Sequence, residues 1–379
     1  MLPRSMLNGI YLFQNRKAIR VARFIDHLLG FLPIKHNFEF PKPKRILISN
    51  CAHMGDVILS TSVIKTLRDA LPDCEIGIVV GSWSKPVIDK HPDIKSIHIV
   101  DHWKANRGSY TFLEKLKIYW TSRKRAMREI KKQKYDVVID LCFYYPNLIP
   151  LWFQAGIPVR IGYSSGGFGP LLTHSHQFVD KMQSVMEYYN ALLLPFARGR
   201  DLKPQLPPLV NPENTLKKHG LDSGQYTVIH MGSGDPTREW PLENWIEVGN
   251  ELNKLGRKLV FTGYGQRENS AIEKVLESIE GINLCNLLSF DEFRVVIALS
   301  NEFLGVNTGS AHIAATYQIP SYVIFHGIDR KEHWSAYSPK TTFFTKSVKC
   351  SPCFQKNGCV SMDCIKKISP RDVINCILR

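Results

Sequence analysis

Apolar and polar positions fall into blocks of two kinds along the chain. Short unbroken apolar runs alternate with longer stretches in which apolar residues return at helical spacing. Ile46, Leu47 and Ile48 form the first run and read as a buried parallel strand. Asn50 to Gly55 makes a turn, and Asp56 stands at the start of a helix with Val57, Leu59, Val63, Ile64 and Leu67 on its apolar positions. Strand, tight turn and helix in that order place the turn at the carboxyl end of a sheet, where open α/β sheets bind ligands. As a purely structural residue, Asp56 would be an N-cap that satisfies free N–H groups of the first turn.

The same alternation continues. Residues 75–80, 97–100 and 135–141 read as further strands, 181–197 as a helix, and the proline-rich segment 204–208 as a linker. The glycine-rich run 162–169 reads as a flexible loop, because its spacing fails the dinucleotide pattern. Beyond the linker, strands are expected at 226–230, 258–262, 282–284 and 302–306, with 322–325 closing the sheet. Helices follow through Leu255, through Ile279, at 291–300 and at 311–317. Alternating strands and helices in both halves predict an α/β protein with two parallel, right-handed, Rossmann-like sheets.

Two stretches carry basic and apolar residues on opposite faces. In residues 1–35, Leu7, Ile10, Tyr11, Ala18, Val21, Ile25, Leu28 and Leu29 share one face, and Arg16, Arg20, Arg23 and His27 the other. This pattern suits a helix lying on an anionic membrane or one docked on its own domain. Between the third and fourth strands, Phe112, Leu116, Tyr119, Trp120, Met127 and Ile130 oppose Lys117, Lys124, Arg128 and Lys132. A charge run is ordinarily a solvated face, but a second such stretch adds to the case for phosphate-bearing lipid.

The 379-residue chain is 44% hydrophobic and 22% charged, enough apolar content for two folded domains. Its net charge of +15 favours anionic partners: nucleotides, nucleic acid or an acidic membrane. No recognised nucleic-acid module accompanies the charge. No apolar run approaches membrane-spanning length, and the amino terminus lacks a compact signal-peptide core. Nine cysteines, an odd number and mostly isolated, do not read as a secreted disulfide framework, so the cytoplasm is expected.

Thr308, Gly309 and Ser310 lie between a strand and a helix N-terminus, a ready site for an anion such as a diphosphate, or an ordinary helix cap. Arg238, in the loop after the second half's first strand, can supply a fixed positive charge. His312, one turn into the helix, suits a structural role as well as a functional one. Cys350, Cys353, Cys359 and Cys364 can be closed into one tetrahedral thiolate site. Structural zinc is the preferred occupant, ahead of free thiols and of an iron–sulfur cluster. The lack of a nearby His or Glu argues against a catalytic metal.

Together these pieces resemble a known family. His53-Met54-Gly55-Asp56-Val57-Ile58 resembles the amino-terminal signature of the ADP-heptose:lipopolysaccharide heptosyltransferases, glycosyltransferase family nine. His230-Met-Gly-Ser, Arg238-Glu-Trp-Pro, Phe261-Thr-Gly263 and the run Asn307-Thr-Gly-Ser-Ala-His312 match its later signatures in order. The resemblance implies a GT-B fold, two Rossmann-like domains facing across a cleft, with acceptor bound to the first and donor to the second. It implies a metal-independent, inverting transfer of heptose from an ADP-sugar to a lipopolysaccharide core or related lipid-linked acceptor at the cytoplasmic face of the inner membrane. Asp56 would be the general base, flanked on the acceptor side by His53, Met54 and Gly55. Arg238 and the Thr308–Ser310 turn would hold the leaving diphosphate, with Gly263, Asn307 and His312 beside them. Asn307 stands where the family usually has an aspartate that contacts the donor sugar. The acidic residue that typically reads the ribose has no secure match, although Glu268 is near. The same fold with another nucleotide sugar, or an inert basic membrane- or nucleic-acid-binding protein, are the rival readings. The expected organisation is a basic extension (1–43), an acceptor domain (44–203), a donor domain (204–349) and a cysteine-rich tail (350–379).

Overall fold

The structure is a computed structural model that describes residues 11–12, 15–197, 203–335, 338–355 and 358–379. The chain divides into two compact units at 207/208, inside the proline-rich segment.

The first unit holds β1 (Arg45–Ser49), β2 (Glu75–Val80), β3 (Ser96–Ile99), β4 (Val137–Asp140), β5 (Val159–Tyr163) and β6 (His174–His176). All pair in parallel in the order β3-β2-β1-β4-β5-β6. Ile46, Leu47 and Ile48 are fully buried, as expected for a strand covered on both faces. The second unit repeats the winding with β7 (Tyr226–His230), β8 (Lys258–Phe261), β9 (Ile282–Asn283), β10 (Glu302–Val306), β11 (Ser321–Phe325) and β12 (Thr341–Thr345). Its order is β12-β11-β10-β7-β8-β9, again all parallel. In each sheet the strand order reverses between the first and fourth strands, β1 with β4 and β7 with β10. The loops leaving that pair open a crevice at the carboxyl edge.

Three expectations need correction. The second sheet is closed by β12, not by residues 322–325, because β11 pairs with Thr341–Thr345 along its whole length. Residues 162–169 are not a free loop. They finish β5 and form two short 3-10 turns in which Ser165, Gly166 and Gly169 are buried. A side chain at Gly166 would meet Asn147 at 2.6 Å, so close packing is what requires glycine there. The helix read over 181–197 is shorter, Val185–Leu193, started by Ser184, whose hydroxyl accepts from the Met186 N–H.

The amino-terminal helix runs Arg16–Leu29, with Asn15 as its N-cap; Leu7 and Ile10 lie outside the described residues. One edge docks on the first unit. Asp26 accepts from the Phe168 N–H and the Tyr11 hydroxyl, both at 2.8 Å, and Leu29 packs beside Leu171 and Leu172. The rest of its apolar face is open: Val21, Phe24 and Leu28 are 57%, 64% and 52% exposed. The basic helix Phe112–Gln133 behaves similarly. It buries Ala126 and Ile130 but leaves Phe112, Leu113 and Trp120 exposed at its amino-terminal half.

The cysteine-rich tail is built into the second unit. Ile365, Ile368, Val373, Ile374 and Ile377 share a core with Trp240, Trp245, Val248 and Leu252. Each such aliphatic side chain contributes roughly 1.5–3 kcal/mol of burial before the entropy of ordering the segment is counted.

Candidate active site

In the first unit, the turn after β1 is fixed by Asn50. Its amide oxygen accepts from the Ala52 N–H and its amide nitrogen donates to the Asp56 carbonyl, both at 3.2 Å. The helix that follows is Met54–Ala70 with His53 as N-cap. Asp56 is therefore the third helical residue, not the cap. Its Oδ2 reaches back to accept the His53 N–H at 3.1 Å, as the acidic member of a capping box does. Its Oδ1 accepts from the Tyr144 hydroxyl at 3.1 Å. The carboxyl keeps an open edge, yet protein atoms surround most of it, and desolvation raises its pKa. The Tyr144 hydroxyl, the His53 N–H and the Arg107 charge oppose that rise.

Tyr144 comes from the loop after β4, across the strand-order reversal from Asp56. That loop is held from below by Asp140, whose carboxylate accepts from Trp152 Nε1 at 2.8 Å and from the Cys142 and Leu148 N–H groups. Complete burial pushes the Asp140 pKa up to about 6. Nearby, Lys104 lies over the Tyr145 ring at 4.6 Å, and Trp83 donates to the Ala52 carbonyl at 2.8 Å. His53, Met54 and Gly55 are only partly exposed, on the turn that carries Asp56.

In the second unit, the loop after β7 carries Arg238 in a short turn, Pro236–Arg238, capped by Asp235. Its guanidinium Nη2 lies 3.0 Å from Asp329 Oδ2, with Asp235 a further 3.8 Å contact. After β10 comes Asn307, buried with its amide oxygen unpartnered, then Thr308 as N-cap of the helix Gly309–Thr316. The Thr308 and Ser310 hydroxyls lie 2.7 Å apart. Thr308 does not cap the helix with its own side chain, leaving first-turn N–H groups for an anion. His312 is buried and its pKa falls to about 4, so it is neutral at pH 7 and interior to this turn. His230, at the end of β7, is likewise pushed to about 4 by burial and bonds Thr262 Oγ1 at 3.0 Å.

Glu268 has a definite place. Its carboxylate lies against both Gly232 and Gly263, where a side chain at either glycine would strike it, and accepts the Tyr264 N–H at 2.9 Å. Burial raises its pKa. Sequence reasoning missed Tyr144, Arg107 and Asp329, because each comes from a loop brought near only by strand order.

The four clustered cysteines line one pocket of about 190 Å³, with Ile328, Met362 and Asp363. Among the described residues, no three His, Cys, Asp or Glu side chains stand close enough to hold a metal ion as placed. What the structure brings together is four thiols around one pocket. The pocket abuts the loop that carries Asp329: Cys353 N–H donates to the Gly327 carbonyl at 3.3 Å and Phe354 N–H to that of Ile328 at 2.8 Å.

Two doubly wound parallel sheets, with a carboxylate on a turn of the first and an arginine and a helix N-terminus on loops of the second, are the architecture of the GT-B glycosyltransferases. The chain belongs to glycosyltransferase family 9 (heptosyltransferase), whose model matches residues 123–362. It is 22% identical over 301 residues to lipopolysaccharide heptosyltransferase 3 of Escherichia coli K12, spanning 73% of this chain and 80% of that protein. Among solved structures it is similar to a family 9 glycosyltransferase from Veillonella parvula (TM-score 0.72, 21% identity, 88% of this chain and 95% of that one). It is also similar to the E. coli ADP-heptose lipopolysaccharide heptosyltransferase II (TM-score 0.69, 18% identity, 88% and 97%).

Proposed function

We propose that this protein is an inverting heptosyltransferase that moves heptose from ADP-heptose to a lipopolysaccharide core acceptor. The observation that carries the reading is the carboxylate of Asp56 at the carboxyl edge of the first sheet, held by one donor on each oxygen. The acceptor oxygen attacks the anomeric carbon and gives its proton to Asp56. The bond from that carbon to the diphosphate breaks, ADP leaves with the electron pair, and the configuration inverts. Desolvation makes Asp56 a stronger base than an exposed carboxylate. Arg238 and the first-turn N–H groups after Thr308 stabilise the departing charge, so the transfer is metal-independent in this reading.

Supporting an adenosine diphosphate sugar is the name of the E. coli ADP-heptose heptosyltransferase II it resembles, with the turn at Thr308–Ser310 as a place for the diphosphate. Asn307 offers a buried amide oxygen to a donor-sugar hydroxyl, and that same amide favours a second reading with a different nucleotide sugar. A thermal-shift screen decides between them. ADP and ADP-heptose should raise the melting temperature more than other nucleoside diphosphates, a ligand at 100 times its Kd adding about 2.7 kcal/mol. A larger shift with another base selects the second reading, and no shift with any nucleotide overturns both.

The open apolar and basic faces of helices Arg16–Leu29 and Phe112–Gln133 support attachment to an anionic membrane, on the cytoplasmic face where the acceptor lipid is made. No helix among the described residues is long and apolar enough to cross a membrane. Nucleic acid has no part in this reading. Cys350, Cys353, Cys359 and Cys364 would hold a structural zinc that pins the tail without entering the reaction. Elemental analysis of protein purified without added metal should find about one zinc per chain. Iron with sulfide, or four freely alkylated thiols and no metal, overturns the zinc assignment.

A further inference from the structure

The loop after β4 is built to hold one phenol still. Asp140 ties its two ends through the Cys142 and Leu148 N–H groups at 3.1 and 3.2 Å. The Phe143 ring stacks on Phe178 at 4.9 Å with planes 9° apart, and the Tyr144 ring meets Phe143 edge-on at 5.1 Å. The Ser165 hydroxyl donates to the Phe143 carbonyl, and Gly166 packs against the Tyr144 backbone so closely that a methyl there would lie 3.0 Å from its carbonyl carbon. These contacts deliver the Tyr144 hydroxyl to Asp56 Oδ1 at 3.1 Å, while the His53 N–H takes Oδ2 at the same distance.

We propose that Tyr144 is a positioning residue for the transfer reaction, fixing the rotation of the Asp56 carboxylate so that a free lone pair faces the acceptor hydroxyl. The inference rests on Asp56 being the base. An ionised carboxylate has about four lone-pair sites. With one donor on each oxygen, turning the group breaks both bonds, so the remaining sites keep a fixed direction. A phenol suits the task better than a second carboxylate or a histidine. Burial and the neighbouring Asp56 charge raise the Tyr144 pKa well above its ordinary value, so it donates throughout the working pH range and never competes for the acceptor's proton.

Other groups act on Asp56 as well. Arg107, from the loop after β3, lowers its pKa by its charge, and His53 does so through its N–H. Tyr189, on helix Val185–Leu193, and Cys142, in the loop after β4, are neutral, with pKa values raised by their surroundings. Tyr144 supplies the hydrogen bond to Oδ1, so removing the phenol hydroxyl takes away a bond that favours the charged form of Asp56. The Asp56 pKa must then rise.

Tyr144→Phe keeps the ring and its contact with Phe143, so the fold should survive, as circular dichroism and melting temperature would report. With ADP-heptose and a heptose-deficient lipopolysaccharide, kcat at pH 7 should fall about ten-fold and the acid limb of the kcat profile should move up by about one pH unit. KM for ADP-heptose should change less than about two-fold, since the donor contacts lie elsewhere. Titration of the Asp56 carboxyl carbon by NMR, which needs no acceptor, should show the same upward shift. Unchanged kcat, limb and carboxyl titration in Tyr144→Phe overturn the positioning role. Asp56→Asn run beside it separates the two readings: loss on the order of 100-fold with ADP binding intact supports the base. Near-wild-type transfer by Asp56→Asn removes the base itself, and with it any work for Tyr144.

Discussion

Arg238 is not an idle cation waiting for a phosphate. Its Nη2 is already 3.0 Å from Asp329, and a diphosphate arriving there must share or displace that carboxylate. The pair is partly exposed, so its strength is reduced by solvent, and the incoming ligand carries more negative charge than a single carboxylate. Arg238→Ala should therefore weaken ADP binding at least about ten-fold, the loss of a charge-assisted contact, and leave adenosine binding nearly unchanged. Calorimetric titration of both ligands checks this, and equal losses for the two would place Arg238 outside the phosphate site. Asp56, Arg238 and Thr308 could be picked out in the sequence because each lies between a strand's apolar run and the helix that follows, or in that helix's first turn. Asp329 was not. It belongs to the loop after β11, and only the pairing of β11 beside β10 brings that loop toward Arg238.

At the scale of elements, legibility followed burial. Strands such as β1 and β10, covered on both faces, announce themselves as unbroken apolar runs. β5 hid because Arg160 interrupts it; that guanidinium is buried by spending its donors on the Leu171, Ile157 and Pro158 carbonyls. β12, Thr-Thr-Phe-Phe-Thr, is a half-exposed edge with no apolar run to read. The amino-terminal helix shows the opposite case, a strong pattern that allowed two readings. The structure docks one edge through Asp26 and Leu29 and leaves Val21, Phe24 and Leu28 open beside Arg16, Arg20 and Arg23. Basic residues near an anionic surface contribute about 1 kcal/mol each, and the attraction fades with salt. Sedimentation should therefore show binding to anionic vesicles, release by salt, and little binding to neutral ones. Phe24→Asp with Leu28→Asp should weaken it while moving the melting temperature by no more than about 2 °C, because both side chains are exposed. A wild-type protein that ignores anionic vesicles at low salt would leave these faces as solvated surface.

At the scale of the whole molecule, several buried histidines set the response to acid. His102, His230, His312 and His326 are each pushed down to about 4 by burial. An unfolded chain binds protons at these positions near pH 6.5, so between there and pH 4 it carries more protons than the folded one. Stability contributed by these groups is full above pH 6.5 and is lost as pH falls toward 4. Asp26, Asp56, Asp140 and Glu268, all raised by burial, work the other way, but burial lowers His91, His98 and His176 as well, so seven histidines stand against four carboxyls. The melting temperature should fall between pH 7 and 5, and His326→Asn should flatten that fall; a flat wild-type profile would contradict the burial assigned to these rings.

The tail's seat beneath the Asp329 loop has a consequence for the reactivity of its thiols. In protein stripped of metal, where these thiols are free, Cys364 is buried against Gly327 whereas Cys350 is exposed, so a maleimide reaches the first only when the tail lifts and the second at any time. A ligand that engages Arg238 and quiets the loop from Gly327 to Asp329 should keep the tail down. ADP should then slow alkylation of Cys364 several-fold while Cys350 reacts at its ordinary rate, as peptide mass spectrometry would record. Coupling of this kind runs both ways: protein already blocked at Cys364 should bind ADP more weakly by a similar factor. The chemical clock on one buried sulfur would thus read the occupancy of a nucleotide site on the far side of a single loop.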